Sequence, residues 1–351
     1  MRLKLPGEKL VAGLVLTTIG VALILFSFSV KSVETQPSQD NYQIASREVR
    51  VEYLEKRNYT YMLTQSFLLR NPSNNTVVDL VYMWLPVNAT SQSVRLVESN
   101  IEPLYRKSGE DGATILVYNL SLPSGRTLWL NATLQVTVEK YRLLMENIPW
   151  LDRSQVEENT GGKRYWAVEN QTYVSIARSI GLDARDPVEA CSSIGKWILG
   201  RLDYQPTLRK GAEHALVARG GRLTVSGDCE EVADVFVTLA RILGIRSRVA
   251  HGLYLLEDKD FVTMWIKRTE TGYNVSDNWG GHAWPQIYVP QAGWVDVELL
   301  EGETVKIGDF SQYHVKYGFE EKSFMGSTML YCQAMYLETD SFYFAFRRVQ
   351  S

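Results

Sequence analysis

Between Thr127 and Glu139 apolar and polar residues alternate without a break. Leu128, Leu130, Ala132, Leu134, Val136 and Val138 fall on one face, and Thr127, Trp129, Asn131, Thr133, Gln135, Thr137 and Glu139 on the other. A period of two predicts a half-buried antiparallel strand. Shorter runs at 61–69, 77–85 and 114–122 are separated by turn signals such as Asn71-Pro72-Ser73-Asn74 and Pro123-Ser124-Gly125. Four or more short strands at this spacing predict an antiparallel β-sandwich over 47–146. That span holds no catalytic cluster, so a spacer or ligand-binding module is its default role.

Beyond it the period changes. Residues 144–184 are mixed and read as a connector. Asp186-Pro187 then opens a helix with Val188, Cys191, Ile194 and Ile198 at helical spacing. A second helix begins at Gly227-Asp228-Cys229, carries Val232, Val235, Phe236, Leu239, Ala240, Ile242 and Leu243 on its apolar stripe, and stops at Gly244. Alternation returns at His282, Trp284, Gln286 and Tyr288. A turn at 290–293 leads to Trp294, Asp296 and Glu298 on one face, with Val295 and Val297 on the other. Residues 326–351 again read as strands, with two open assignments: completing the second domain or returning to the first.

The N-terminus has its own pattern. Leu10 to Val30 is 21 residues without a charge, long enough to cross a bilayer core of ~30 Å at about 1.5 Å per residue. Arg2, Lys4 and Lys9 precede it, so the positive-inside bias predicts a cytoplasmic stub over 1–9, a transmembrane signal-anchor helix over 10–30 and a polar linker over 31–46. The other reading, a cleaved signal peptide, is disfavoured by the length of the apolar stretch and the lack of an Ala-x-Ala site after it. A single-pass cell-membrane protein with its C-terminal domains outside is expected. Asn-x-Ser/Thr sequons fit this: Asn58, Asn74, Asn88, Asn119, Asn131, Asn170 and Asn274 are seven of fourteen asparagines, where chance would give about two, and all follow the span.

The length of 351 residues allows two ordinary domains. A net charge of −3 and no basic stripe exclude nucleic acid as the expected partner. Three cysteines make no disulfide framework. No metal-ligand spacing, phosphate-binding loop or EF-hand occurs, so neither metal nor cofactor is expected.

The chemistry centres on Cys229. It opens a helix, where unpaired N–H groups and the dipole favour an anion. That end contributes ~1 kcal/mol at most, while a free thiol of pKa ~8.5 is a few per cent thiolate at neutral pH. Glu230 and Glu231 oppose the charge, so a histidine partner is required. His282 shares one face of the hairpin with Asp296 and Glu298. The turn centre favours Glu298 as its acid, with Asp296 as the runner-up. His214, His251 and His314 lack such context and read as surface or packing residues. Cys191 reads as a small buried hydrophobe, with a bond to Cys332 as its alternative.

Three separated stretches carry a resemblance: Gly227-Asp228-Cys229 with Leu239 to Val249, then His282-Ala283-Trp284, then Gly293-Trp294-Val295-Asp296-Val297-Glu298. In this order they resemble the transglutaminase-like superfamily, a branch of the papain-like thiol fold, over roughly 160–310. The resemblance implies an α+β chain with a papain/transglutaminase-like catalytic domain over 147–325, and terminal strands at 326–351. It also implies Cys229 as nucleophile, His282 as base and Glu298, where the family more often has Asp, as third member. Gln286 stands where many members carry Glu. The expected function is a membrane-anchored extracytoplasmic cysteine protease or amidase acting on peptide or protein amides, or a cross-linking transferase. The alternatives are a cell-surface adhesion or scaffold protein that keeps the fold without turnover, and a signalling ectodomain.

Overall fold

The computed structural model describes residues 48–109, 112–151, 161–162, 164–256, 258–320 and 329–349. The expected stub, membrane span and linker lie outside these residues. Among the described residues no helix is long and apolar enough to cross a membrane.

The first six strands are β1 (Arg50–Arg70), β2 (Val77–Trp84), β3 (Gln92–Ser99), β4 (Tyr105–Ser108), β5 (Thr114–Leu122) and β6 (Thr127–Glu146). Helices α1 (Gln171–Gly181) and α2 (Pro187–Leu199) follow, then β7 (Leu202–Tyr204), α3 (Ala212–Ala215), β8 (Leu216–Arg219) and β9 (Arg222–Gly227). Next come α4 (Cys229–Ile242), β10 (Ser247–Tyr254), β11 (Phe261–Thr269), β12 (Gly272–Val275), β13 (Gly281–Val289) and β14 (Gly293–Glu298). The chain ends with β15 (Lys306–Ile307), β16 (Asp309–Phe310), β17 (His314–Phe319), β18 (Leu330–Cys332) and β19 (Glu338–Val349).

On β6 the alternating residues Leu130, Ala132, Leu134, Val136 and Val138 are all buried, as a period of two requires for one covered face. The strand runs seven residues past the clear alternation, to Glu146, paired with β1 throughout. The connector expected over 144–184 is corrected in part, because it contains α1. Asn170 caps that helix by accepting a hydrogen bond from the Thr172 N–H, and Tyr173 and Ala177 are its buried residues. Ile176 and Ile180 pack beside them, so Tyr173, Ile176, Ala177 and Ile180 form a stripe at helical spacing that the connector reading passes over. Asp186 caps α2 through Glu189 N–H with Pro187 in the first turn.

Among the described residues the strands form four sheets. The largest has the order β12-β11-β19-β1-β6-β16, with β3 also paired to β6; the others are β15-β14-β13-β10-β17, β18-β2-β5-β4 and β7-β9-β8. The largest sheet and the β18-β2-β5-β4 sheet enclose one core containing Leu63, Phe67, Met83, Tyr118, Leu134, Met264 and Phe344. A second core lies where α1, α2 and α4 meet the β10–β13–β14 face, with Cys191, Ile194, Phe236, Leu239, Trp284 and Val297. Cys191 and Cys332 belong to different cores and both are free thiols.

The described residues, from 48 to 349, pack as one compact unit. The large sheet crosses the expected segment boundaries: β19 lies between β1 and β11, so the C-terminal strand joins early and late parts of the chain at once. Phe344 on β19 is fully buried between them. Truncating it to Ala is expected to cost about 3–5 kcal/mol, read as a lower midpoint in urea unfolding with an unchanged slope.

Candidate active site

The site begins with how α4 starts. Asp228 is its N-cap, accepting from the Glu230 N–H at 3.0 Å, and Glu231 reaches back to accept from the Asp228 N–H at 3.2 Å. This reciprocal capping box satisfies two of the helix's unpaired donors. Gly227, with φ 155°, is required because a Cβ there would lie 2.5 Å from the Glu231 Cβ. Cys229 is therefore the first helical residue, with its N–H at the open end of the helix. Burial raises Glu230 to about 7 and also raises Glu231. Glu230 thus carries less charge against a thiolate than the sequence implies, while Glu231 is held as an acceptor by the Lys210 and Asp228 N–H groups.

Strand β13 brings His282. It pairs across β10 with Gly252, where a Cβ would lie 2.0 Å from the Val315 carbonyl oxygen, so only glycine allows β17 to close on that side. The hairpin register sets Gln286 against Asp296 and Tyr288 against Trp294. Continued by two residues, it sets Trp284 against Glu298 and leaves His282 on the diagonal. Diagonal neighbours are ~7–8 Å apart, a span that suits Glu better than the shorter Asp.

Glu298 closes that span. Its Oε2 lies 2.9 Å from His282 Nε2. Its Oε1 accepts three backbone N–H groups from the turn that follows, Leu299 at 2.9 Å, Leu300 at 2.7 Å and Glu301 at 3.2 Å. Burial alone would raise this carboxyl, but His282 and His314 outweigh it and hold it well below the usual carboxylate range. Burial likewise pushes His282 down, while the Glu298 charge and the nearby Cys229 sulfur raise it to about 10. Nε2 is spent on Glu298, so Nδ1 is the ring atom left for the sulfur. The order of interacting groups is Cys229, acting on His282, and His282, bonded to Glu298.

Asp296, the runner-up acid, does not meet His282. Its Oδ1 accepts from Trp284 Nε1 at 2.8 Å and Gln286 Nε2 at 2.6 Å. Its Oδ2 accepts from Tyr141 O–H at 2.8 Å and Lys316 Nζ at 2.9 Å. Gln286, placed where many family members have Glu, is thereby a donor to a buried anion.

His314, read from sequence as a surface or packing residue, packs in the interior and also touches the site. It is fully buried and its Nε2 lies 3.0 Å from Glu298 Oε2. It follows a turn and heads β17, a separate strand sixteen residues beyond Glu298, so the hairpin pattern does not mark it. His251 is buried with Nε2 3.0 Å from the Glu320 carbonyl, and His214 is exposed at the end of α3. His282, Glu298 and His314 place three potential ligand atoms within 4.8 Å of one another. A metal would need both Nε2 atoms as bare lone pairs, whereas each is placed as a donor to the same carboxylate oxygen.

A cavity of about 660 Å³ opens beside these groups, lined by Leu202, Tyr204, Tyr254, Trp279, His282 and Glu298 among others. Cys229 is not among the lining residues and is 9% exposed, but it is near the wall: the Tyr204 phenol is raised to about 12 by burial first and by Cys229 next.

Residues 174–299 match the family model of the transglutaminase-like superfamily, a span that holds Cys229, His282, Asp296 and Glu298 and ends before His314. The chain thus carries a transglutaminase-like domain in a strand-rich α+β fold. No curated protein matches it. Among solved structures, a candidate cysteine protease from Cytophaga hutchinsonii has a TM-score of 0.52 at 12% identity, covering 87% of this chain and 94% of its own. That is a likeness of fold. The periplasmic domain of TgpA from Pseudomonas aeruginosa aligns at 15% identity and a TM-score of 0.35 over 73% of each chain, too low to carry an argument.

The Asp296–Lys316 pair is fully buried. Lys316→Met is expected to cost about 3–5 kcal/mol by leaving the anion uncompensated. Burial raises Asp296, but Lys316, Trp284 and Gln286 outweigh it and lower its value. Its contribution is therefore present above the unfolded value of about 3.9 and lost as pH falls through the lower folded value. Urea midpoints measured from pH 6 to pH 2 should show that acid loss in the wild type and a shallower one in Lys316→Met.

Proposed function

We propose that this chain is a cysteine acyl-transfer enzyme that hydrolyses peptide or isopeptide-type amides. The observation that carries the reading is the position of His282, between the Glu298 carboxylate and the Cys229 sulfur, on the wall of a cavity. A carboxylate fixed by three backbone donors orients the imidazole through Nε2 and stabilises its protonated form. The imidazole in turn draws the thiol proton, which the helix end alone is too weak to release.

In the proposed cycle the Cys229 sulfur attacks the amide carbonyl carbon and a carbon–sulfur bond forms. The open N–H of Cys229 faces the developing oxyanion at the helix end. His282 gives its proton to the leaving nitrogen as the carbon–nitrogen bond breaks, leaving a thioester. Water then attacks, His282 takes its proton, and the carbon–sulfur bond breaks to return the thiolate and a carboxylic acid. With a primary amine in place of water the same thioester would give a cross-link. The uncharged span at 10–30 and the seven sequons support a membrane-anchored, outward-facing setting.

A thiol-reactive amide probe should label Cys229 and leave Cys191 and Cys332, whose thiols burial raises and which have no histidine beside them, unmodified, as read by peptide mass spectrometry. Cys229→Ala should abolish turnover of a peptide-amide library, and Glu298→Gln should lower it by roughly 10²–10⁴-fold. Because His282 is raised to about 10, above its ordinary ~6.5, the ion pair is fully present below that ordinary value and is lost as pH rises through about 10. Turnover should therefore hold into alkaline solution and fall near pH 10. Labelling that ignores His282→Ala would contradict the assignment.

A further inference from the structure

Glu298 Oε2 is shared between two imidazoles, His282 Nε2 at 2.9 Å and His314 Nε2 at 3.0 Å. His314 reaches it from β17, which pairs with β10 on the side away from β13. Its ring stacks on Phe310 at 4.2 Å and 29° and meets Tyr254 at 4.8 Å and Trp284 at 4.9 Å. The titratable groups around it are Glu298, His282, Tyr254 and Glu301. Ser311 Oγ lies 3.1 Å from its Nδ1.

These contacts define the proton positions. A carboxylate can only accept, so His314 Nε2 carries the hydrogen directed at Glu298. Burial lowers His314 below its ordinary value, partly offset by Glu298, so the ring is neutral and Nδ1 is a lone pair. Ser311 then donates its O–H to Nδ1. The resulting order is Ser311 O–H to His314, His314 N–H to Glu298, and Glu298 back to His282 and the sulfur.

Resting on the catalytic reading above, we propose that His314 is a positioning residue for that reaction: a neutral second imidazole that fixes the Glu298 carboxylate from the side opposite the turn and so sets the orientation of His282. At metal-bound imidazoles the loss of such an outer partner changes activity by about 10–100-fold, and the same scale is expected for an imidazole oriented by a carboxylate. The Phe310–His314–Trp284 stack holds the donor in place, and Ser311 selects its tautomer.

The test uses the whole chain with iodoacetamide as probe, following Cys229 alkylation against pH by peptide mass spectrometry. His314→Phe keeps the stack and removes the donor. It should slow alkylation at pH 6–7 by about 10–100-fold and move the acid limb to higher pH, because Glu298 then protonates more readily. His314→Gln places an amide N–H where Nε2 stood and should restore most of the rate and the wild-type limb. Wild-type behaviour of His314→Phe, or equal impairment of both variants, would overturn the proposal in favour of packing. If His314→Phe does not fold, Ser311→Ala decides: an upward shift of the acid limb supports the proposal and a wild-type profile overturns it. Failure of the catalytic reading itself is separate, appearing as peptide-amide turnover that survives Cys229→Ala.

Discussion

Glu298 is an anion with 1% of its surface exposed, and the site depends on its staying charged. Burying an ion costs several kcal/mol. Hydrogen bonds to a charged acceptor contribute about 1.5–3 kcal/mol each. Three backbone N–H groups on one oxygen and two imidazoles on the other therefore outweigh the desolvation. With the charge secured, His282 has a fixed partner, and the sulfur at the helix end has a proton acceptor. Removal of the charge would leave His282 without its fixed partner and the sulfur with only the weak field of the helix end.

A second buried anion ties this site to the first strands of the chain. Tyr141 on β6 donates to Asp296 and accepts from its backbone N–H. Lys316 joins Asp296 to Ser91 Oγ, and Gln92 hydrogen-bonds the Lys316 backbone. Hairpin β13–β14, which presents His282 and Glu298, is thus braced by residues far earlier in sequence. With β19 shared between β1 and β11, the strands expected to act as a separate module instead take part in holding the hairpin.

Local features were legible before any coordinates. The first helical turn at Cys229, the hairpin at 281–298 and the alternation on β6 each follow from short-range period and turn chemistry. The preference for Glu298 over Asp296 at His282 came from counting the hairpin turn, and the observed register lies further in the same direction. What stayed hidden is non-local. His314, Tyr141 and Lys316 reach the site through strand pairing and carry no motif of their own. Helix α1 does carry a local signal, Tyr173, Ile176, Ala177 and Ile180 at helical spacing, set inside a span of mixed composition. The capping box explains why Glu230 and Glu231 beside the sulfur are tolerated: one is a structural acceptor and the other is pushed toward neutrality by burial.

The most direct test is the charge on His282 itself. In the ¹⁵N-histidine spectrum of the protein, His282 should be doubly protonated at neutral pH and should titrate near pH 10, and Glu298→Gln should return it toward its ordinary ~6.5. A wild-type His282 that is already neutral at pH 7.5, or one whose titration ignores Glu298→Gln, would contradict the account.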